Sequence, residues 1–210
     1  MKHSLFLVYF FILITSFICI PFQGKADDKN LPIPEKNEDG VYTQPWFLES
    51  FLDLREDINE SKKQGKYLVI LWEQRGCPYC EETHVVNLRV PEIVTYIKNH
   101  FNVLQLNLWG DREVIDVDGE VTTEKKLAKK YRIQFTPTMQ FFEKEQSSNS
   151  NGSPQKEEIW RIMGYWKPFH FLNTFVYIQE KGYIEQPSFQ RWLQAHAEKL
   201  RMQGKEINLW

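Results

Sequence analysis

The chain has 210 residues, 42% of them apolar and 15% aromatic, with 26 basic against 28 acidic side chains. That length suits one ordinary domain with extensions, and the composition is rich enough to bury a core. A net charge of −2 supplies no basic stripe, so nucleic-acid binding has no support, and no period suggests a solenoid.

Lys2 and His3 precede an uncharged run from Ser4 to Ile20, and Gly24, Lys25 and Ala26 place small residues at the −3 and −1 positions of a cleavage site. This pattern predicts a secretory signal peptide over residues 1–26, removed after Ala26. The alternative is an uncleaved N-terminal membrane anchor, because a run of about 17 residues approaches the lower limit for crossing a bilayer. The bulky Ile18 argues against lipoprotein acylation at Cys19. Cleavage removes Cys19 and leaves Cys77 and Cys80 as the only cysteines; loss of Lys2 and Lys25 also moves the net charge from −2 to −4. An exported chain with one closely spaced pair has no disulfide framework, so the pair is free to cycle.

Asp27 to Pro45 is polar and carries Pro32, Pro34 and Gly40. It predicts a disordered leader over residues 27–45, with the folded domain following over 46–210. From Trp46 to Gln64 the apolar Phe47, Phe51, Leu54 and Ile58 share one helical face, and Glu49, Arg55, Glu56 and Glu60 share the other. Gly65 ends that helix.

Leu68 to Trp72 is a short apolar run of the kind that forms a buried strand. Glu73 to Gly76 turns the chain into Cys77-Pro78-Tyr79-Cys80, with a helix starting at the first cysteine. Pro78 suits the first helical turn, where its missing amide hydrogen is not used. Unpaired N–H groups and the helix dipole favour a thiolate at Cys77, which is the nucleophilic form. Cys80, one turn on, is placed to resolve a mixed disulfide formed there. A structural disulfide or half of a zinc site are the alternatives; zinc needs about four ligands, and the chain offers no second cysteine pair or nearby histidine pair.

The helix should continue towards Leu88 with Val85 and Val86 inward, and His84 reads as a solvated helix histidine that could alternatively shuttle protons. Pro91 opens a second helix through Asn99. Phe101 to Trp109 alternates as a strand, parallel to the first because a helix separates them. Asp118-Gly119 marks a hairpin turn. Asp116, Asp118 and Glu120 faintly suggest a calcium loop but lack its full ligand series. Glu124 to Tyr131 favours a helix. Phe135-Thr136-Pro137-Thr138 then leads into a strand; a proline there marks an edge, a turn or a cis bond. Ser147 to Gln155 reads as a loop, Glu158 to Gly164 as an antiparallel strand, and Phe169 to Gln179 as a helix ended by Gly182. Ser188 to Met202 is a last helix burying Phe189, Trp192, Leu193, His196 and Leu200, with His196 a packed core histidine.

This order of elements resembles the thioredoxin fold. Gly76 to Cys80, Leu106-Asn107-Leu108-Trp109-Gly110-Asp111, Phe135 to Thr138, and Arg161 with Gly164-Tyr165 look most like the SoxW-like periplasmic thioredoxins linked to sulfur oxidation. The likeness covers roughly residues 46–195. It implies an α/β fold with a central mixed sheet flanked by helices, an N-terminal helix and a C-terminal helical extension. It also implies that Pro137 is cis and faces the disulfide, that the backbone of Thr136 pairs with a bound peptide, and that Gly164 keeps the approach clear. The sequence departs from the best-known thioredoxins in having Pro78 and Tyr79 between the cysteines and no Asp in the preceding strand. Glu73 is the nearby acid, either a proton acceptor for Cys80 or a surface turn residue. Glutaredoxins share Pro-Tyr, but their downstream glycine pair and glutathione pattern are absent.

The expectation is a periplasmic thiol–disulfide oxidoreductase that needs no cofactor. It would reduce protein disulfides, including those of sulfur-oxidation or other periplasmic redox proteins, and be recharged by a membrane electron donor. The alternatives are a disulfide oxidase or isomerase, or a non-catalytic module binding copper or peptide.

Overall fold

A computed structural model describes residues 30–143, 158–205 and 207. The expected signal peptide and the loop expected at Ser147 to Gln155 lie outside the described residues. Among the described residues, no helix is long and apolar enough to cross a membrane.

The apolar run becomes β1 (Tyr67–Glu73), which is buried at every position. It is buried because it is central. β2 (Phe101–Asn107) pairs parallel on one side, and β5 (Thr138–Phe142) and then β6 (Glu158–Met163) pair antiparallel on the other. The order β2-β1-β5-β6 makes a four-stranded mixed sheet, as expected. The parallel step needs a crossover, supplied by α2 (Pro78–Val85), a 3₁₀ turn (Asn87–Arg89) and α3 (Pro91–His100). A small hairpin of β3 (Glu113–Ile115) and β4 (Val121–Thr123) follows β2, with the Asp118-Gly119 turn between its strands.

Alternation along β1 divides its side chains between two cores. Tyr67, Val69 and Leu71 pack against Ile93 and Ile97 of α3 and Phe171, Phe175 and Ile178 of α5 (Pro168–Gln179). Leu68, Ile70 and Trp72 pack against Leu54 and Ile58 of α1 (Leu54–Lys63), and Leu127 and Ala128 of α4 (Glu124–Lys130). A short α6 (Gly182–Glu185) leads to α7 (Phe189–Met202), which adds Phe189 and Leu193 to the first core.

Several expectations need correction. The N-terminal helix starts at Leu54, where the Asp53 carboxylate accepts from the N–H groups of Arg55 and Glu56. Leu52, at φ +64°, turns the chain just before it, so Phe51 stands fully exposed rather than inward. Residues 30–45 are not a loose leader: Leu31 N–H donates to Arg89 O at 2.7 Å, Lys36 bridges Tyr42, and Val41 is buried. A polar, proline-containing composition argues against a helix, but it is equally that of a turn pinned to a surface. α2 ends at Val85, and its buried face is Cys80, Thr83 and His84 rather than Val85 and Val86. Gly182 does not end the preceding helix by a left-handed turn; Lys181 makes that turn at φ +54°. Gly182 is needed for space, since a Cβ would sit 2.6 Å from the Tyr177 ring and 2.8 Å from Trp192 Nε1. His196 is half-buried and stacks on Trp192, with ring centroids 4.7 Å apart. The carboxylates of Asp116, Asp118 and Glu120 all reach the ammonium of Lys130, at 2.5, 2.7 and 2.7 Å, so a side-chain cation sits among them.

Asp57 of α1 is 8% exposed and accepts from the Ser50 hydroxyl at 2.7 Å. Burial pushes its carboxyl up to about 6, outweighing the Ser50 bond, and the charges of Asp53 and Glu56 add to the rise. A raised folded value means that the folded chain holds the proton more tightly than the unfolded one. Stability therefore falls as pH rises from about 4 to about 6, and stays at the lower level above that. Asp57→Asn is expected to gain on the order of 1 kcal/mol at pH 7, discounted for the water that reaches the site, and nothing at pH 4. Urea midpoints at the two pH values check this; an equal gain at both contradicts it.

Candidate active site

Gly76, at φ +72°, makes the tight turn that β1 needs to enter α2. Cys77 is then the N-cap, in extended conformation, with Pro78 in the first helical turn. Cys80 N–H donates to Cys77 Sγ at 3.1 Å. The two sulfurs form a disulfide with Cα atoms 5.2 Å apart. Their exposure differs: Cys77 is half-buried, Cys80 only 3% exposed. An incoming group therefore reaches Cys77 first.

The loop before β5 meets the pair from the other side. The Thr136 hydroxyl donates to Cys77 Sγ at 3.3 Å, and Thr136 O lies 3.4 Å from the same sulfur. The Thr136–Pro137 peptide bond is cis, and Pro137 O accepts from Gly164 N–H at 2.8 Å, tying the end of β6 to this loop. Gly164 is at φ +76°, and a Cβ there would meet nothing of its own chain within 4 Å. Tyr79, Trp109, Phe135 and Met163, all at this end of the sheet, are more than half exposed. Residues 36–42 form the opposite wall: Lys36, Gly40 and Tyr42, with Gln74, Cys77 and Cys80, line a cleft of about 140 Å³. That wall is fixed by Tyr42, whose hydroxyl donates to Glu81 Oε1 at 3.0 Å, and by Arg75, whose Nε donates to Asp39 O at 2.7 Å.

Beneath the pair is a buried polar network. Glu73 is the last residue of β1 and is 0% exposed, so it is not a surface turn residue. His84, also 0% exposed, is not a solvated helix histidine: its Nε2 lies 2.9 Å from Glu73 Oε2. Glu73 Oε2 also accepts from Gln105 Nε2, which donates as well to Tyr42 O at 2.5 Å. His84 Nδ1 faces Gln44 Nε2 at 3.2 Å. Cys80 and His84 are four residues apart on one buried helix face, and Glu73 meets that face at His84, one turn from Cys80.

The structure thus brings Cys77, Cys80, Thr136, Pro137 and Gly164 together, with Glu73 below and Pro78 and Tyr79 on the exposed lip. Sequence reasoning missed Tyr42, Gln44 and Gln105, which had no pattern to mark them. His84 had one, its four-residue offset from a cysteine already placed inward.

Among curated proteins, none matches the chain. Of solved structures, a thioredoxin-fold protein from Helicobacter pylori is 22% identical, covering 69% of this chain and 96% of its own, with a TM-score of 0.50. A thioredoxin from Thermus thermophilus is 19% identical, covering 60% and 83%, with a TM-score of 0.46. The oxidised C-terminal domain of DsbD from Neisseria meningitidis is 15% identical, covering 61% and 96%, with a TM-score of 0.40. The first of these shows a shared fold. The family model described as a thioredoxin-like domain matches residues 54–179, more than half of the 210, and the chain belongs to that family.

Proposed function

We propose that the protein is an exported, periplasmic thiol–disulfide oxidoreductase that reduces disulfides of partner proteins. The observation that carries this reading is the asymmetry at the pair. Cys77 Sγ receives hydrogen bonds from Cys80 N–H and the Thr136 hydroxyl, while Cys80 is covered. After reduction, the same donors favour a thiolate at Cys77, the form that attacks disulfides.

The thiolate attacks one sulfur of the target disulfide and expels the other as a thiolate. Cys80 then gives up its proton, with Glu73 as the nearby acceptor, and attacks Cys77 Sγ. The second target sulfur leaves, the target has gained two electrons, and Cys77 and Cys80 are again a disulfide. During this exchange the target segment lies along Thr136, beside Pro137. The clear space at Gly164 and the exposed Tyr79, Trp109, Phe135 and Met163 offer it an apolar seat.

The signal-peptide pattern of residues 1–26 supports export, with cleavage after Ala26. An exported reductase is cut off from cytosolic reductant, so a membrane electron donor recharges it. The motifs shared with SoxW-like proteins favour periplasmic redox partners of the sulfur-oxidation kind.

Trapping tests the reading. Cys80→Ser should accumulate a covalent complex with partner proteins from a periplasmic extract, released by dithiothreitol, whereas Cys77→Ser should capture nothing. A Cys80→Ser protein that forms no mixed disulfide sinks the proposal.

A further inference from the structure

The network beneath the pair fixes where protons sit. A glutamine amide nitrogen only donates, so Gln44 Nε2, at 3.2 Å, requires a bare lone pair on His84 Nδ1. The imidazole is then neutral and carries its hydrogen on Nε2, which donates to Glu73 Oε2 at 2.9 Å. Gln105 donates to the same oxygen. The other oxygen, Oε1, is buried and takes no hydrogen bond among the described residues. The carboxylate therefore accepts two hydrogen bonds on one oxygen and none from the described residues on the other, and it is fully buried.

Gln44 lies outside the region matched by the family, residues 54–179. It is 8% exposed, and the imidazole it contacts is flanked by the rings of Tyr42 and Phe47, at centroid distances of 5.9 and 5.7 Å. The titratable neighbours of His84 here are Glu73, Tyr42 and, once the pair is reduced, Cys80 one turn back on α2, with Glu81 bonded to the Tyr42 hydroxyl and the Lys36 ammonium over its ring.

We propose that Gln44 is a positioning residue that locks His84 in its neutral Nε2–H form, leaving Glu73 Oε1 to take the proton that Cys80 sheds. The inference rests on the oxidoreductase reading and concerns its second half. In that step the Cys80 S–H bond breaks, its proton passes to Glu73 Oε1, and the thiolate bonds to Cys77 Sγ. The Cys77–target disulfide breaks and the target thiolate leaves, to be protonated from solvent. Were the hydrogen on Nδ1 instead, Nε2 would set a lone pair against Glu73 Oε2, and the carboxylate would lose a bond that holds it in place.

Two measurements test this. Nitrogen-15 NMR of histidine-labelled protein at pH 7 should show His84 with hydrogen on Nε2 only, whereas Gln44→Glu, which offers an acceptor instead of a donor, should show both nitrogens protonated. In stopped-flow reaction of the reduced protein with 5,5′-dithiobis(2-nitrobenzoate), a first release of nitrothiobenzoate reports attack by Cys77 and a second reports resolution by Cys80. Gln44→Glu and Gln44→Ala should slow the second release about tenfold, less than the roughly hundredfold or more lost with a proton-transfer group itself, and leave the first unchanged. A wild-type His84 protonated on Nδ1, or second-phase rates equal in wild type and variants, overturns the proposal. Absence of the first release in wild type overturns the oxidoreductase reading instead.

Discussion

Insulin reduction driven by dithiothreitol is expected to fall to the uncatalysed rate in Cys77→Ser, a loss of about a thousandfold or more. A thousandfold is roughly 4 kcal/mol of barrier, and the chemistry readily supplies it. A serine hydroxyl does not ionise near neutral pH, and oxygen cannot form the mixed disulfide that begins the cycle. The hydrogen bonds that Cys80 N–H and Thr136 direct at Cys77 Sγ have no thiolate left to stabilise. Cys80 cannot substitute, because it is 3% exposed and lies behind its partner. Cys80→Ser, reduced and then mixed with insulin in the absence of dithiothreitol, should also fail to turn over, but for a different reason: it reacts once and stops at the covalent intermediate. The two losses are told apart by gel mobility of the insulin adduct. Cys77 should also be alkylated by iodoacetamide faster than an ordinary thiol, whose pKa is near 8.5. Turnover retained in Cys77→Ser, or the adduct appearing on Cys80 instead, would remove the basis of the mechanism.

The residues legible in the sequence share one property: each is announced by its immediate neighbours. The strand Leu68 to Trp72, the cysteines around Pro78 and Tyr79, and Thr136-Pro137 are local patterns, and the sheet orders them as local patterns imply. What escaped depends on contacts far along the chain. Glu73 ends an apolar strand, and only the arrival of His84, Gln105 and the segment around Gln44 decides that it is buried. Phe51 fits a helical face by spacing, but Asp53 caps the helix behind it and Leu52 turns away, so capping overrides periodicity. Residues 30–45 look unstructured by composition, yet they are held by side chains of residues that follow much later, Arg75, Glu81 and Gln105. Single side-chain bonds of this kind leave no periodic trace.

Trp72→Ala is expected to destabilise the fold by about 4 kcal/mol, within the range for emptying a buried aromatic site. The indole is 0% exposed and sits in β1 opposite Leu106 of β2 and Thr138 of β5, one residue before Glu73. Its Nε1 donates to Gln140 Oε1 at 2.5 Å, and Gln140 Nε2 donates to Glu158, which Arg161 grips at both carboxylate oxygens. Alanine thus opens a cavity and also strands a buried carbonyl, two costs that add. Trp72→Phe separates them: the ring still fills most of the space, and the expected loss of about 1 to 3 kcal/mol is that of the unpaired Gln140 oxygen. Against a total stability of about 5–15 kcal/mol, the alanine variant should shift the urea midpoint by about 2 M with the slope unchanged. The side chain faces the core opposite to Glu73, so the fraction that remains folded should still show the two-phase cysteine chemistry. If Trp72→Ala instead left the midpoint in place, or abolished Cys77 reactivity in protein that remained folded, the indole would not be a structural support behind the site.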